Sequence, residues 1–273
     1  MAQAPRYFAI RVITGLSVLT WASAGLGQAL APATCSVQSG PLKTPVLELY
    51  TSEGCSSCPP ADKWLSTFKN QAAGPPGGQV TGATTAPLPV IQAFHVGYWD
   101  YIGWVDRFAS PAHTTRQRQI AALNRQSSIY TPQAVLDGRD WRDWGGAPGR
   151  VSKTTEPAQA SISLKQVAPD QFEALVTPAP GVSGKWSAYW TLTEDGHSSR
   201  VKSGENAGEF LKHDFVVRQY TPAGDYDARA ISPQKLAWRS IAATPGHARR
   251  INLVVFDPSS GKTLQAVSAS CNA

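Results

Sequence analysis

The chain has 273 residues and a formal net charge of +6. With 42% hydrophobic and 16% charged residues it reads as a globular protein long enough for two domains, and wholesale disorder is excluded. The positive balance is modest and no basic stripe is interleaved with aromatics, which argues against a nucleic-acid partner.

The chain opens on Arg6 and Arg11, then an uncharged apolar or small run over residues 12–27, then small residues at Gly27, Ala29 and Ala31. This pattern predicts a secretory signal over residues 1–31 and a periplasmic or secreted protein. The apolar run is short for a membrane span, so no stable span is expected after cleavage; an uncleaved anchor is the alternative. Cleavage would remove two positive charges and leave +4.

Export gives the four cysteines an oxidising compartment. Cys55 and Cys58 form one local pair. Cys35 and Cys271 remain near the two ends, and their simplest use is a structural disulfide tying the termini together. Closing so long a loop is worth roughly 4–5 kcal/mol in the chain-entropy account.

Residues 42–50 predict a buried strand, being mostly apolar with a strand-forming end. The run Ser52-Glu53-Gly54-Cys55-Ser56-Ser57-Cys58-Pro59-Pro60 follows. Two cysteines two residues apart, between a strand and a helix start, make a dithiol redox site. Helix N–H groups and the dipole favour thiolate there, and thiolate is the nucleophile of disulfide exchange. A static structural disulfide is the alternative. Residues 58–70 predict a helix whose Ala61, Trp64, Leu65 and Phe68 make an apolar face, with Asp62 and Lys63 a solvated first-turn pair.

Residues 72–89 are rich in Gly, Ala, Thr and Pro and predict a loop. Residues 89–96 predict a second strand, and Tyr98, Trp99, Tyr101 and Trp104 mark an aromatic loop that either anchors packing or lines a groove. Residues 110–127 predict a helix, and residues 131–138 a strand ending in an Asp137-Gly138 turn. Beyond a boundary at residues 148–158 the period changes. Short strands at 161–165, 171–176, 186–192, 215–217 and 251–256 predict an antiparallel sandwich.

The first half, on Cys55-x-x-Cys58 after a strand and Thr131-Pro132 before a hairpin strand, resembles thioredoxin-fold proteins. That resemblance implies a cis bond at Pro132, with Thr131 and Pro132 lying against the dithiol. The whole chain also resembles the exported "domain of unknown function 1223" family. The carrying stretches run from Glu48 to Asp62, from His95 to Tyr101, from Tyr130 to Gln133, and through Gly204-Glu205-Asn206. Gly97 departs from the pattern, which has an acidic residue there. The implied fold class is an α/β thioredoxin-like N-terminal domain, residues 40–150, plus an all-β antiparallel sandwich C-terminal domain, residues 158–273.

Other candidates stand beside the dithiol. Glu48, an acid in an apolar strand, is either a proton acceptor for Cys58 or a carboxylate paired with Arg. Glu53 either tunes the thiols or caps the turn. His95 with the two thiolates would suit Cu(I) or zinc; otherwise it bonds Asp100 and fixes the loop. Three functions follow: a monomeric thiol–disulfide oxidoreductase acting on a protein thiol or disulfide, with Cys55 as nucleophile, Cys58 as resolver and no cofactor; a copper or zinc module on Cys55, Cys58 and His95; or a non-catalytic binding protein with a fixed disulfide. Gly204-Glu205-Asn206 is a turn or a contact to the redox half.

Overall fold

A computed structural model describes residues 1–4, 35–69, 87–146, 151, 154–229 and 232–270. Residues 5–31 of the expected export segment, most of the 72–89 stretch, and Cys271 lie outside the described residues. Cys35, the expected partner of Cys271, is buried in the core.

After a short β1 (Ser36–Gln38) comes β2 (Val46–Thr51), buried at every position. Strand alternation turns Leu47 and Leu49 to one face and Val46, Glu48 and Tyr50 to the other. Helix α1 (Pro59–Ser66) covers the first face, where Ala61, Leu65 and Phe68 pack with Leu47, Leu49, Ile91 and Ala93. Strand β3 (Val90–His95) runs parallel to β2. Helix α2 (Pro111–Leu123) covers the second face, its Ile120 clustered with Tyr50, Phe94 and Val135. Its start follows capping rules: Ser110 accepts from the Ala112 N–H at 3.3 Å, and Pro111 sits where the missing N–H costs nothing.

Strands β4 (Gln133–Leu136) and β5 (Arg139–Asp140) form a hairpin. Asp137 and Gly138 both have positive φ, as the tight turn requires. A Cβ on Gly138 would lie 1.9 Å from the Gly261 carbonyl oxygen, so only glycine fits.

The remaining strands are β6 (Ala160–Ala168), β7 (Gln171–Pro178), β8 (Lys185–Glu194), β9 (His197–Arg200), β10 (Phe210–His213), β11 (Val216–Asp227), β12 (Gln234–Arg239), β13 (Arg249–Phe256) and β14 (Thr263–Ala269). A four-stranded sheet β1-β6-β7-β12 packs on the β8–β13–β14 end of a larger sheet. Trp190 and Trp238 stack between the layers at 5.4 Å.

The larger sheet corrects the expected fold class. It has eight strands in the order β14-β13-β8-β11-β3-β2-β4-β5, drawing four from each half of the chain. The join is β11 on β3, in parallel: Val216 pairs with Ala93, and the Ala93 N–H donates to the Phe215 carbonyl at 2.8 Å. An exposed edge on β3 would leave backbone groups unpaired, and β11 supplies their partners. The described residues are therefore mostly strand with two α-helices in mixed and antiparallel sheets. They are not an α/β thioredoxin-like N-terminal domain joined to an all-β antiparallel sandwich. Residues Ala33–Ala273 form one compact unit.

Candidate functional site

Cys55 and Cys58 are joined as a disulfide, their Cα atoms 5.4 Å apart. The loop that carries them is tied to itself: the Cys55 N–H donates to the Ser52 carbonyl and the Cys58 N–H to that of Cys55, both at 3.2 Å. Cys58 is the N-cap residue of α1. Pro59 and Pro60 bring no N–H to the first turn, and the Ala61 and Asp62 N–H groups go to the Cys58 carbonyl. The helix start thus offers its sulfur a dipole but few direct donors. Both cysteines are buried, at 1% and 0% exposure, whereas Ser56 and Ser57 stand in solvent.

Two segments close over this loop. On one side a Cβ on Gly54 would lie 3.0 Å from the Trp99 Cβ, so glycine lets the aromatic loop approach. Trp99 in turn donates its indole N–H to the Thr131 hydroxyl at 2.7 Å, and Thr131–Pro132 is cis. On the other side lies Gly204-Glu205-Asn206. Buried Asn206 donates to the Glu53 carbonyl at 2.8 Å and the Cys55 carbonyl at 3.0 Å. Glu205 accepts from the Ser56 N–H at 3.0 Å. Gly204, at positive φ, sits against the Ile102 carbonyl, and the Ser203 hydroxyl donates to the Gly103 carbonyl.

Beneath the loop lies a cluster of five buried ionisable side chains: Glu53, Asp62, His95, Asp106 and His213. Asp106 joins His95 Nδ1 at 2.6 Å and accepts from the Glu53 and Phe108 N–H groups. Glu53 accepts from the Trp104 indole at 2.7 Å and meets His213 Nε2 at 3.2 Å. Asp62 accepts from the Thr51 hydroxyl at 3.2 Å, and its carboxylate lies 3.7 Å from His213 Nδ1. The two imidazoles meet edge to face at 4.9 Å. His95 Nε2 and His213 Nδ1 have no hydrogen-bond partner.

Burial and pairing divide the cluster. Burial alone would raise the carboxyl of Asp106, yet His95 beside it holds it below the ordinary range. Burial likewise opposes Glu53, which the bonds from His213, Ser199 and Trp104 carry below its usual value. His95 is desolvated, but Asp106 wins and raises it. Asp62 goes the other way: burial raises its carboxyl, and the more distant His213 and His95 offset this only in part.

The predicted residues fall into two groups. Cys55, Cys58, Thr131, Pro132, His95 and Glu53 gather at the end of β2. Glu48 does not: it lies on the α2 face, opposite α1. There it accepts from Tyr50 and Tyr189 hydroxyls at 2.7 Å each and pairs with the Arg116 guanidinium through Nε and Nη2. His95 is fixed by Asp106, not by Asp100, which instead accepts from the Asp106 N–H. A Cβ on Gly97 would lie 3.2 Å from the Asp100 carboxylate, so glycine there leaves Asp100 its place. Asp62 is buried rather than solvated, while Lys63 is exposed. Among the aromatics Trp99 and Trp104 hold the site and Tyr101 is 81% exposed. Sequence reasoning missed Asp106 and His213, whose only signal was an ionisable type inside short polar runs.

Among the described residues no group of three or more His, Cys, Asp and Glu side chains is arranged to hold a metal ion. Cys55 and Cys58 are bonded to each other and His95 Nδ1 is committed to Asp106. Nor is any helix among the described residues long and apolar enough to cross a membrane.

Comparisons with known proteins add fold and family. No curated protein matches the chain. A crystallised protein of Agrobacterium tumefaciens is similar at 23% identity and a TM-score of 0.60, over 86% of this chain and 97% of its own. The protein HBP35 of Porphyromonas gingivalis is similar at 11% identity and a TM-score of 0.54, over 85% of this chain and 76% of its own. At these identities both speak to the fold alone. A family model described as "Protein of unknown function (DUF1223)" matches residues 46–256, most of the chain, and the chain belongs to that family.

Proposed function

We propose that the protein is an exported thiol–disulfide oxidoreductase whose working pair is Cys55–Cys58. The observation that carries this is the placing of that disulfide, at the head of α1, in the segment that also carries Glu53 and Asp62 of a buried carboxylate–histidine cluster where two ring nitrogens lack a hydrogen bond. A purely structural bridge has no use for such a cluster, and perturbed ionisable groups gather at sites of chemistry.

In the forward step a partner thiolate attacks Cys55 Sγ. A new S–S bond forms, the Cys55–Cys58 bond breaks, and its electron pair goes to Cys58 Sγ. The Cys58 sulfur so released is fully buried and takes up a proton as it becomes a thiol. Asp62, one helical turn on and raised by burial, is the carboxyl suited to supply that proton and to take it back. A second thiolate then attacks the partner sulfur of the mixed disulfide and releases Cys55. Two thiols have lost two electrons and the pair has gained them. Thr131 and Pro132 present backbone groups to the bound partner chain, which lies extended.

The test is the redox equilibrium of the pair against a glutathione series, read by thiol alkylation and mass. The expected result is a reversible two-electron transition in the folded protein and a trapped mixed disulfide in Cys58→Ser. A pair that stays oxidised until the protein unfolds would make it a staple and end the redox reading.

A further inference from the structure

Of the two segments that close over the Cys55 loop, Gly204-Glu205-Asn206 is the one that grips the Cys55 backbone itself. Cys55 is 1% exposed, and Asn206 holds its carbonyl while Glu205 holds the N–H of the next residue, Ser56. These two hydrogen bonds grip both sides of one peptide unit, Cys55–Ser56, and are made by adjacent residues some 150 positions away in the chain. The segment is anchored from behind by Ser203 on Gly103 and by Gly204 against Ile102, so it is a fitted cover and not a passing loop.

The cover carries a charge. Glu205 is exposed, and among the described residues no lysine or arginine pairs with it. The Ser56 bond favours its ionised form. The other acids nearby, Glu53 and Asp106, are occupied below by Trp104, His213 and His95. A thiolate entering here therefore meets an uncompensated carboxylate.

We propose that Glu205 is a specificity-determining residue: it selects the attacking thiol by charge, favouring partners with a positive group beside the sulfur and disfavouring anionic ones. A cationic partner would pair with the Glu205 carboxylate, free the Ser56 N–H and lift the cover from Cys55. This rests on the redox reading of Cys55–Cys58. The step itself is unchanged: the S–S bond forms at Cys55, the electron pair leaves on Cys58, and a second thiol completes the two-electron reduction.

The experiment measures how fast the folded, full mature chain is reduced by 2-mercaptoethylamine, 2-mercaptoethanol and mercaptoacetate. Each rate is divided by that thiolate's rate with hydroxyethyl disulfide, to cancel intrinsic reactivity. Unit charges a few ångströms apart at a wet surface change a rate by about tenfold, and salt screens the effect. The expected cationic-to-anionic ratio is therefore about tenfold at low salt, collapsing to about twofold or less in Glu205→Gln and at high salt. Asn206→Ala should quicken all three thiols and leave the ratio alone. A ratio untouched by Glu205→Gln overturns the inference while the redox reading stands. Failure of all three thiols to reduce the folded protein removes the redox reading and this inference with it.

Discussion

Strand β2 carries one buried acid, Glu48, and the loop after it another, Glu53, and the two are handled in opposite ways. Glu48 faces α2 and is saturated by two tyrosine hydroxyls and the Arg116 guanidinium, which also lies 3.9 Å over the Tyr189 ring. Glu53, five residues on, enters a group where two histidines and two further carboxylates share one dry space and two ring nitrogens lack a hydrogen bond. The first arrangement fixes a charge and has nothing left to give. The second is not saturated, and its members are pushed in different directions: Asp62 up by burial, Glu53 and Asp106 down by their partners, His95 up by Asp106. A buried acid by itself says little about chemistry; its partners decide whether it is a rivet or a reservoir.

Removing a partner from the rivet should have the largest effect. Arg116→Met leaves Glu48 buried without a counter-charge, and about 3–5 kcal/mol of stability should be lost in urea unfolding. Glu48→Gln added to it should recover much of that, with the Cys55–Cys58 midpoint unmoved in the double variant. A loss under about 1 kcal/mol would erase the contrast between the two sites.

His113 borders both regions, donating from Nδ1 to the His95 carbonyl and packing on Phe94. Burial, its largest influence, pushes it down to about 4. A histidine depressed in the folded state stabilises above its unfolded value near 6.5, and this stability is lost as pH falls toward 4. The stake is about 3 kcal/mol across that window. The gap in unfolding free energy between the native chain and His113→Gln should therefore narrow from pH 7 to pH 4; a gap independent of pH would count against it.

The smallest effect tests the reservoir. Asp62→Asn removes an acid whose folded-state affinity for its proton is raised. Ionising such a group costs the folded state above its unfolded value near 3.8, so the variant should gain stability at pH 7 relative to pH 3. Loss of its proton transfer should slow opening of the Cys55–Cys58 bond by a partner thiolate by up to about a hundredfold and flatten the pH profile of that step. An unchanged opening rate would move the proton transfer to solvent.

Much of the site was legible because it is local. The disulfide, the helix after it with its apolar face, the β4–β5 turn and the capped start of α2 all depend on residues within a few positions of one another. The cis bond at Pro132 came from resemblance to other chains, and the structure has it. For Glu48 the sequence left two readings open, and the structure has the pairing with an arginine, Arg116, which is 68 positions away and invisible to local spacing. Asp62 was read as solvated because its helix face cannot be told from spacing once the partner is a loop and β10 rather than an apolar stripe. Strand β9 escaped because its run, His-Ser-Ser-Arg, lacks apolar alternation.

By itself, then, the sequence determined the elements around the paired cysteines and the pair itself, since propensity and turn chemistry act within a few residues, while Gly204-Glu205-Asn206 stood out only by resemblance. Only the tertiary structure decided that β3 and β11 share a sheet, that Asn206 and Glu205 close over Cys55, and that Asp106 and His213 join His95 and Glu53. Those contacts span up to 160 positions, and long-range pairing of polar groups leaves no period in the chain that folds to make it.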